Sequence, residues 1–354
     1  MSLLGEDHQA PVTDQIQTQV EKGVGLLTLN RPQAINSLTN DMITAMSAAL
    51  SEWEADDAVR AVVLSGAGER GLCAGGDVVE IHNSAKIDGV IARRFFREEY
   101  QLNAQVGRFS KPYVALMDGI VMGGGVGVAG HANTRIVTDT SKVGMPEVGI
   151  GFIPDVGGTY LLSRAPGELG LHAALTGAPF SGADAIAMGF ADHYVPHDRL
   201  EKFTKAIIDS DIATALAVHS AIAPSSDLLT QRSWIDACYA GDSVADIVAA
   251  LGAHGDERAR AAADQILTRS PIALSVTLAA VRRAGELPSL EAVLTQEYRV
   301  SSHSVRSHDL VEGIRAQLVD KDRNPQWDPK TLAAVTEADV EAFFQPVSDD
   351  LEWS

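Results

Sequence analysis

Strand-like and helix-like segments alternate along residues 1–197 of this 354-residue chain, and from about Asp198 onward the strand signal stops. Short apolar runs bounded by Gly, Pro, Asn or Asp mark buried strands, whereas apolar residues three and four apart mark helices. IQTQVEKGVGLLTLN (16–30) reads as a hairpin turning at Lys22-Gly23, and VRAVVLSG (59–66), KPYVALMDG (111–119), TRIVTD (134–139) and FADHYVP (190–196) read as further strands. Thr39 is placed to cap the amphipathic run NDMITAMSAALSEWEAD, and 85–109 has helical spacing with Phe95, Phe96, Tyr100 and Leu102 facing inward. Beyond 198, Ala-rich amphipathic segments such as ADIVAALGAHGDERARAAADQIL dominate, with a Pro/Ser joint at IAPSSD (222–227). The pattern predicts an α/β layered region over 1–197 and a helical region over 198–354.

Charge and cysteine usage exclude several functions. A net charge of −19 with only 5% aromatic residues predicts no nucleic-acid partner and no anionic membrane partner, since both need Lys and Arg to meet phosphates. Cys73 and Cys238 lie far apart, so neither a disulfide framework nor a metal site is expected. The opening MSLLGEDHQAPVTDQ has no basic stretch followed by an apolar run and no Arg-rich pattern, which predicts a cytoplasmic location.

Three glycine-rich segments carry the chemistry. GVGVAG (125–130) matches the dinucleotide pattern G-x-G-x-x-G, but strand character resumes at TRIVTD, leaving no room for the long helix such a site needs. The same glycines can instead present backbone N–H groups to a ligand at a helix start, and GLCAGGDVVEIH (71–82), after a buried strand, can do likewise. MPEVGIGFIPDVGG (145–158) places Glu147 and Asp155 in a shaped loop, as an acid/base pair or as two solvated charges. Competing nucleophile systems are weak: no G-x-S-x-G occurs, Ser243 in GDSVA reads as a helix cap, Pro196 separates His193 from His197, and Cys73 has no neighbouring His.

LNRPQAINSL, CAGGD, KPYVALMDGIVMGGGVG and MPEVGIGFIPDVGGTYLLSR, in this order, resemble the crotonase (enoyl-CoA hydratase/isomerase) superfamily of acyl-CoA enzymes. The resemblance implies a spiral of ββα units followed by a helical C-terminal region. It also implies an oxyanion hole for a thioester carbonyl, formed by the N–H groups of Gly76 and Gly124. Hydratases of the superfamily carry a glutamate two residues after the triple glycine, and here that position is Gly127. The other hydratase carboxylate corresponds to Glu147, and Asp155 replaces the usual small residue after IP.

This substituted pattern is similar to the 3-hydroxyisobutyryl-CoA hydrolase branch, with further likeness in FFREEYQLN (95–103), SPIALSVTLAAV (270–281), LTQEYRVSSHSVRSHDLVEGIRAQLVDKDRNPQW (294–327) and VTEADVEAFF (335–344). The resemblance implies that Glu99, Gly124, Glu147 and Asp155 surround the substrate, with Glu147 and Asp155 catalytic; whether Glu98 or Glu99 faces the site stays open. The implied activity is hydrolysis of a branched 3-hydroxyacyl-CoA in valine catabolism, with an enoyl-CoA hydratase/isomerase and a non-catalytic acyl-CoA-binding protein as alternatives. CoA enters as part of the substrate, with no separate cofactor. Arg31, Lys111, Arg282, Arg283 and Arg315 are candidates for its phosphates by charge and location alone, and residues 74–77 for its adenine end, although Asp77 can equally be a helix cap. A homo-oligomer is possible, unless the long helical region covers the assembly surface.

Overall fold

The structure is a computed structural model describing residues 13–353; the stretch before residue 13, which carries most of the location argument, lies outside the described residues. β1 (Ile16–Glu21) and β2 (Val24–Leu29) pair antiparallel. Lys22 and Gly23 between them both have positive φ, 48° and 79°, as a two-residue turn between twisted strands requires. β3 (Ala61–Gly66), β4 (Tyr113–Met117), β6 (Thr134–Val137) and β9 (His193–Tyr194) extend this sheet in parallel, in the order β1-β2-β3-β4-β6-β9. β5 (Ile120–Met122), β7 (Lys142–Gly144) and β8 (Phe180–Ser181) form a smaller second sheet. Bridges Gly71↔Gly119 and Cys73↔Val121 tie the loop after β3 to the start of that sheet.

Two expected elements differ in extent. The helical stretch 85–109 is divided between α2 (Val78–Ala85) and α3 (Val90–Gly107), which follow α1 (Asn40–Ala55). The break falls at Gly89, whose φ of +71° is left-handed and whose missing Cβ makes room for Val305. FADHYVP contributes only His193 and Tyr194 to the sheet, because the N–H groups of Phe190 and Ala191 are already bound to Ala185 O, at 2.8 and 3.2 Å. The caps behave as read: Thr39 accepts from Met42 N–H and Ser243 from Asp246 N–H.

Among the described residues every strand precedes Val195, and the later elements are helices. Helices Leu200–Asp209 and Ile212–His219 cover one face of the large sheet, where Phe203, Ile207 and Ala215 pack on Val24, Val63, Val114 and Ile136. Helices Pro271–Ala284 and Leu290–Ser304 instead send Leu274, Leu278 and Tyr298 into the same core as Phe96 and Tyr100 of α3. Residues on both sides of 198 thus share one apolar interior, and the site lies against it.

Candidate active site

Four separate parts of the spiral and one helix converge on a cavity of about 430 Å³, lined by Gly76, Glu99, Gly124, Glu147 and Asp155. Gly76 comes from the loop after β3. Gly124 opens α4 (Gly124–Ala129), directly after Gly123, whose φ is +50°. Glu147 starts a short 3-10 turn, Glu147–Ile150, and Asp155 precedes the short helix α5 (Gly158–Leu162). Glu99 projects from α3.

The two amides are neighbours. A Cβ built on Gly124 would lie 3.3 Å from Gly76 N and 2.5 Å from Glu99 Oε1, so only glycine lets the backbone and the carboxyl approach this closely. Among the described residues neither the Gly76 nor the Gly124 N–H donates to a protein acceptor. For Gly124 this follows from its place at the first position of a helix, where N–H groups have no intrahelical partner.

The carboxylates are not solvated loop charges: Glu99, Glu147 and Asp155 are 2%, 7% and 5% exposed. Glu99 Oε1 and Glu147 Oε2 are buried with no protein hydrogen-bond partner among the described residues, so both oxygens are free to meet a ligand in the cavity. Asp155 Oδ2 accepts from the Tyr100 hydroxyl at 2.7 Å. Burial pushes the Asp155 carboxyl up to about 7, opposed by that hydrogen bond. Burial, and then the charge of Asp155, hold Glu147 and Glu99 well above the ordinary carboxylate range. The three acids therefore titrate as one coupled cluster, each held above the ordinary carboxylate range. Glu98 points elsewhere, paired with Arg94 at 2.6 Å, so the choice between Glu98 and Glu99 resolves to Glu99.

Gly127, where a hydratase would carry its second glutamate, has no space for a side chain. A Cβ there would sit 2.7 Å from Asn103 Nδ2 and 2.7 Å from Val156 Cβ.

The basic residues named by charge and location are committed elsewhere. Arg31 pairs with Asp77 at 2.9 Å, and Asp77 makes no side-chain cap bond to α2. Lys111 donates to the carbonyls of Trp53 and Asp56, and Arg282 to those of Tyr239 and Gly241. Arg283 pairs with Glu341, and Arg315 with Glu312, Asp320 and Asp322. Arg269, which sequence reasoning missed, does line the cavity; it donates to Thr176 O at 3.1 Å while its Nε is buried without a partner. No local motif marks it.

Glu297 was missed as well, although it had a signal. It falls on the inward stripe Val293, Leu294, Tyr298, Ser301 of its helix, is 0% exposed, and accepts from Gly157 N–H at 2.7 Å and Thr159 N–H at 3.0 Å. The alternative nucleophile loses support. Cys73 is fully buried, which pushes its thiol up to about 12 and leaves no thiolate at neutral pH. His197 pairs with Asp118 at 2.9 Å at the surface, and α4 is too short for a dinucleotide helix.

The enoyl-CoA hydratase/isomerase family matches residues 24–344. Among curated proteins the chain is 39% identical over 336 residues to a protein of Danio rerio named 3-hydroxyisobutyryl-CoA hydrolase, mitochondrial, covering 92% of this chain and 88% of that one. It is 38% identical over 341 residues to the Homo sapiens protein of the same name, with coverage of 93% and 88%. Among solved structures it superposes on a carnitinyl-CoA dehydratase from Mycobacterium thermoresistibile with a TM-score of 0.94 and 68% identity, over 96% of this chain and 99% of that chain. An enoyl-CoA hydratase from Rhodobacter sphaeroides 2.4.1 follows at TM-score 0.90 and 38% identity, over 94% and 98%. With the sheet order, the paired glycine amides and these similarities in agreement, the chain belongs to the enoyl-CoA hydratase/isomerase family, the crotonase superfamily.

Proposed function

We propose that this chain is an acyl-CoA thioester hydrolase acting on a branched 3-hydroxyacyl-CoA, with 3-hydroxyisobutyryl-CoA as substrate and valine catabolism as its setting. One observation carries the reading. Glu147 and Asp155 share a cavity with two unengaged amide donors, while the position of the second hydratase glutamate, Gly127, is closed by Val156 and Asn103. The likeness to vertebrate proteins named 3-hydroxyisobutyryl-CoA hydrolase supports the same substrate class.

The thioester oxygen would sit between the N–H groups of Gly76 and Gly124. As the carbonyl carbon becomes tetrahedral its oxygen gains negative charge, and each donor supplies on the order of 3 kcal/mol of transition-state stabilisation. Glu147 then acts in one of two ways. It attacks the carbonyl carbon and expels the CoA thiolate, forming a mixed anhydride that water opens, or it takes a proton from water as that water attacks. Asp155, held by Tyr100, orients the water or the substrate 3-hydroxyl. Either route consumes one water and yields the free acid and CoA thiol.

The 68% identity to a protein named carnitinyl-CoA dehydratase favours a second reading, loss of water from the 3-hydroxyacyl group. That reaction needs one group to remove the α-proton and another to protonate the departing hydroxyl. Supplying 3-hydroxyisobutyryl-CoA and following a thiol-reactive dye together with the absorbance of a conjugated thioester separates the two. Dye signal without absorbance gain is expected. Absorbance gain without dye means dehydration, and silence in both means a binding protein.

A further inference from the structure

Asp155 heads a tight turn closed by Gly158 N–H donating to Asp155 O at 2.6 Å. Both central residues are left-handed, Val156 at φ 54° and Gly157 at φ 76°. Glycine takes this conformation freely, but a β-branched residue there is a true outlier, and such outliers persist only where the surroundings enforce them.

The surroundings here are two side chains gripping one peptide group. His131 Nε2 lies 2.8 Å from Val156 O, and Glu297 Oε2 accepts from Gly157 N–H at 2.7 Å. A carbonyl can only accept, so the His131 proton is on Nε2. Burial lowers the ring to about 4, keeping it neutral at working pH. Glu297 is anchored in turn by Thr159, whose N–H and hydroxyl donate to Oε1 at 3.0 and 2.5 Å. His131 follows α4, and Glu297 comes from the helix Leu290–Ser304, so the two halves of the chain meet on this one peptide. The strained conformation has two products: it points Val156 at Gly127 and sends the Asp155 carboxyl to Tyr100 inside the cavity.

We propose that His131 and Glu297 are positioning residues for the reaction, a two-sided clamp that holds the Val156–Gly157 peptide in its strained turn and so aims Asp155 at the substrate. The role rests on the hydrolase reading above. The bland alternative is that Glu297 merely caps α5 and His131 merely fills space, in which case their loss affects stability and leaves turnover per folded enzyme intact.

The test uses the full-length chain. Measured above about pH 8, where Glu297 is ionised, Glu297→Gln turns one acceptor into a donor facing an N–H, and His131→Phe removes the other grip, whereas His131→Gln keeps an N–H near the Nε2 position. With wild-type thiol release from 3-hydroxyisobutyryl-CoA as control, Glu297→Gln and His131→Phe are expected to lower kcat about 10–100-fold with KM within about threefold. His131→Gln should recover most of that loss. Val156→Asn creates an Asn-Gly pair, which forms a left-handed two-residue turn unaided, so adding it to Glu297→Gln should restore kcat at least about fivefold. Crystals of Glu297→Gln should show the 156–157 peptide rotated and Asp155 withdrawn from Tyr100. The clamp is overturned by kcat within twofold of wild type in both single variants, by strictly additive losses in the Val156→Asn combination, or by an unmoved peptide in the crystal. A wild-type enzyme without thiol release would refute the hydrolase reading instead, and the crystal comparison would still decide the clamp.

Discussion

The Tyr100 hydroxyl donates to Asp155 Oδ2 at 2.7 Å, and Ser301 Oγ lies 2.6 Å from the same phenol oxygen. A tyrosine that accepts from Ser301 has its single proton free for Asp155, so α3 and the helix Leu290–Ser304 jointly favour the ionised carboxylate against the burial that pushes it up to about 7. Tyr100→Phe removes the donor and leaves Asp155 protonated to higher pH. The ascending limb of kcat/KM is expected to move up by about one pH unit, with activity approaching wild type at alkaline pH. A pH series from mildly acidic to alkaline conditions checks this; an unmoved limb would remove Asp155 ionisation from the rate.

Stability follows the opposite sign from the usual carboxylate. Asp155 binds its proton more tightly folded, at about 7, than its ordinary 3.8, so its contribution is fully present below the ordinary value and is lost as pH rises through about 7. Glu297, raised by burial to about 8, acts in the same direction. Thermal melts should therefore drop between mildly acidic and mildly alkaline pH. Asp155→Asn keeps an acceptor for Tyr100 and removes the buried charge, so above pH 8 it should melt about 2–5 °C higher than wild type while losing about 10²–10⁴-fold in kcat.

Glu147→Gln should cost at least about 10³-fold in kcat without loss of fold, since Glu147 Oε2 has no protein partner to abandon. Single-turnover hydrolysis in heavy-oxygen water then separates the two routes in the wild type. Label entering the Glu147 side chain marks an anhydride, and label confined to the product marks water activation.

Much of this arrangement is legible in the sequence because it is local. The glycine loops around Gly76 and Gly124 announce close backbone approach, and Glu147 and Asp155 stand in one Gly/Pro-rich segment. Thr39 and Ser243 carry cap chemistry three residues before the N–H groups they accept from. What is not legible is contact between distant positions. Gly157 and Glu297 are 140 residues apart and Tyr100 and Ser301 are 201 apart, so no window relates them. Glu297 nonetheless left a trace, a charge on an inward helical stripe, which stays uninterpretable until its partners are known. Arg269 left none, because a half-buried arginine after a helix end looks like any surface cation.

Among the described residues Arg269 is the cation that lines the cavity, in a protein of net charge −19, and a CoA thioester brings several phosphates. Arg269→Met should raise KM about 10-fold with kcat within about twofold, because binding away from the reacting carbon is lost equally in ground and transition states. The same substitution should leave KM unchanged for the corresponding pantetheine thioester, which lacks the nucleotide phosphates. An equal effect on both substrates would place Arg269 against the acyl end.

Gly127 ties specificity to steric exclusion, and its substitution tests the hydrolase assignment most directly. A Cβ there meets Asn103 Nδ2 and Val156 Cβ at 2.7 Å each; the Asn103 amide is a side-chain tip with no hydrogen-bond partner among the described residues, but Val156 Cβ is fixed to the backbone of the turn that carries Asp155. Gly127→Ala must therefore displace the turn. Overpacking of this kind costs about 1–3 kcal/mol, so a lower melting temperature is expected. Because Val156 directly follows Asp155, kcat should fall further than the lost stability explains when rates are corrected for folded protein. Gly127→Glu installs the residue type found in hydratases, yet the backbone gives it no path into the cavity, so no loss of crotonyl-CoA absorbance is expected from that variant. If Gly127→Ala melts within 1 °C of wild type, or Gly127→Glu gains hydratase activity, then closure at this position is not what separates this chain from the hydratases.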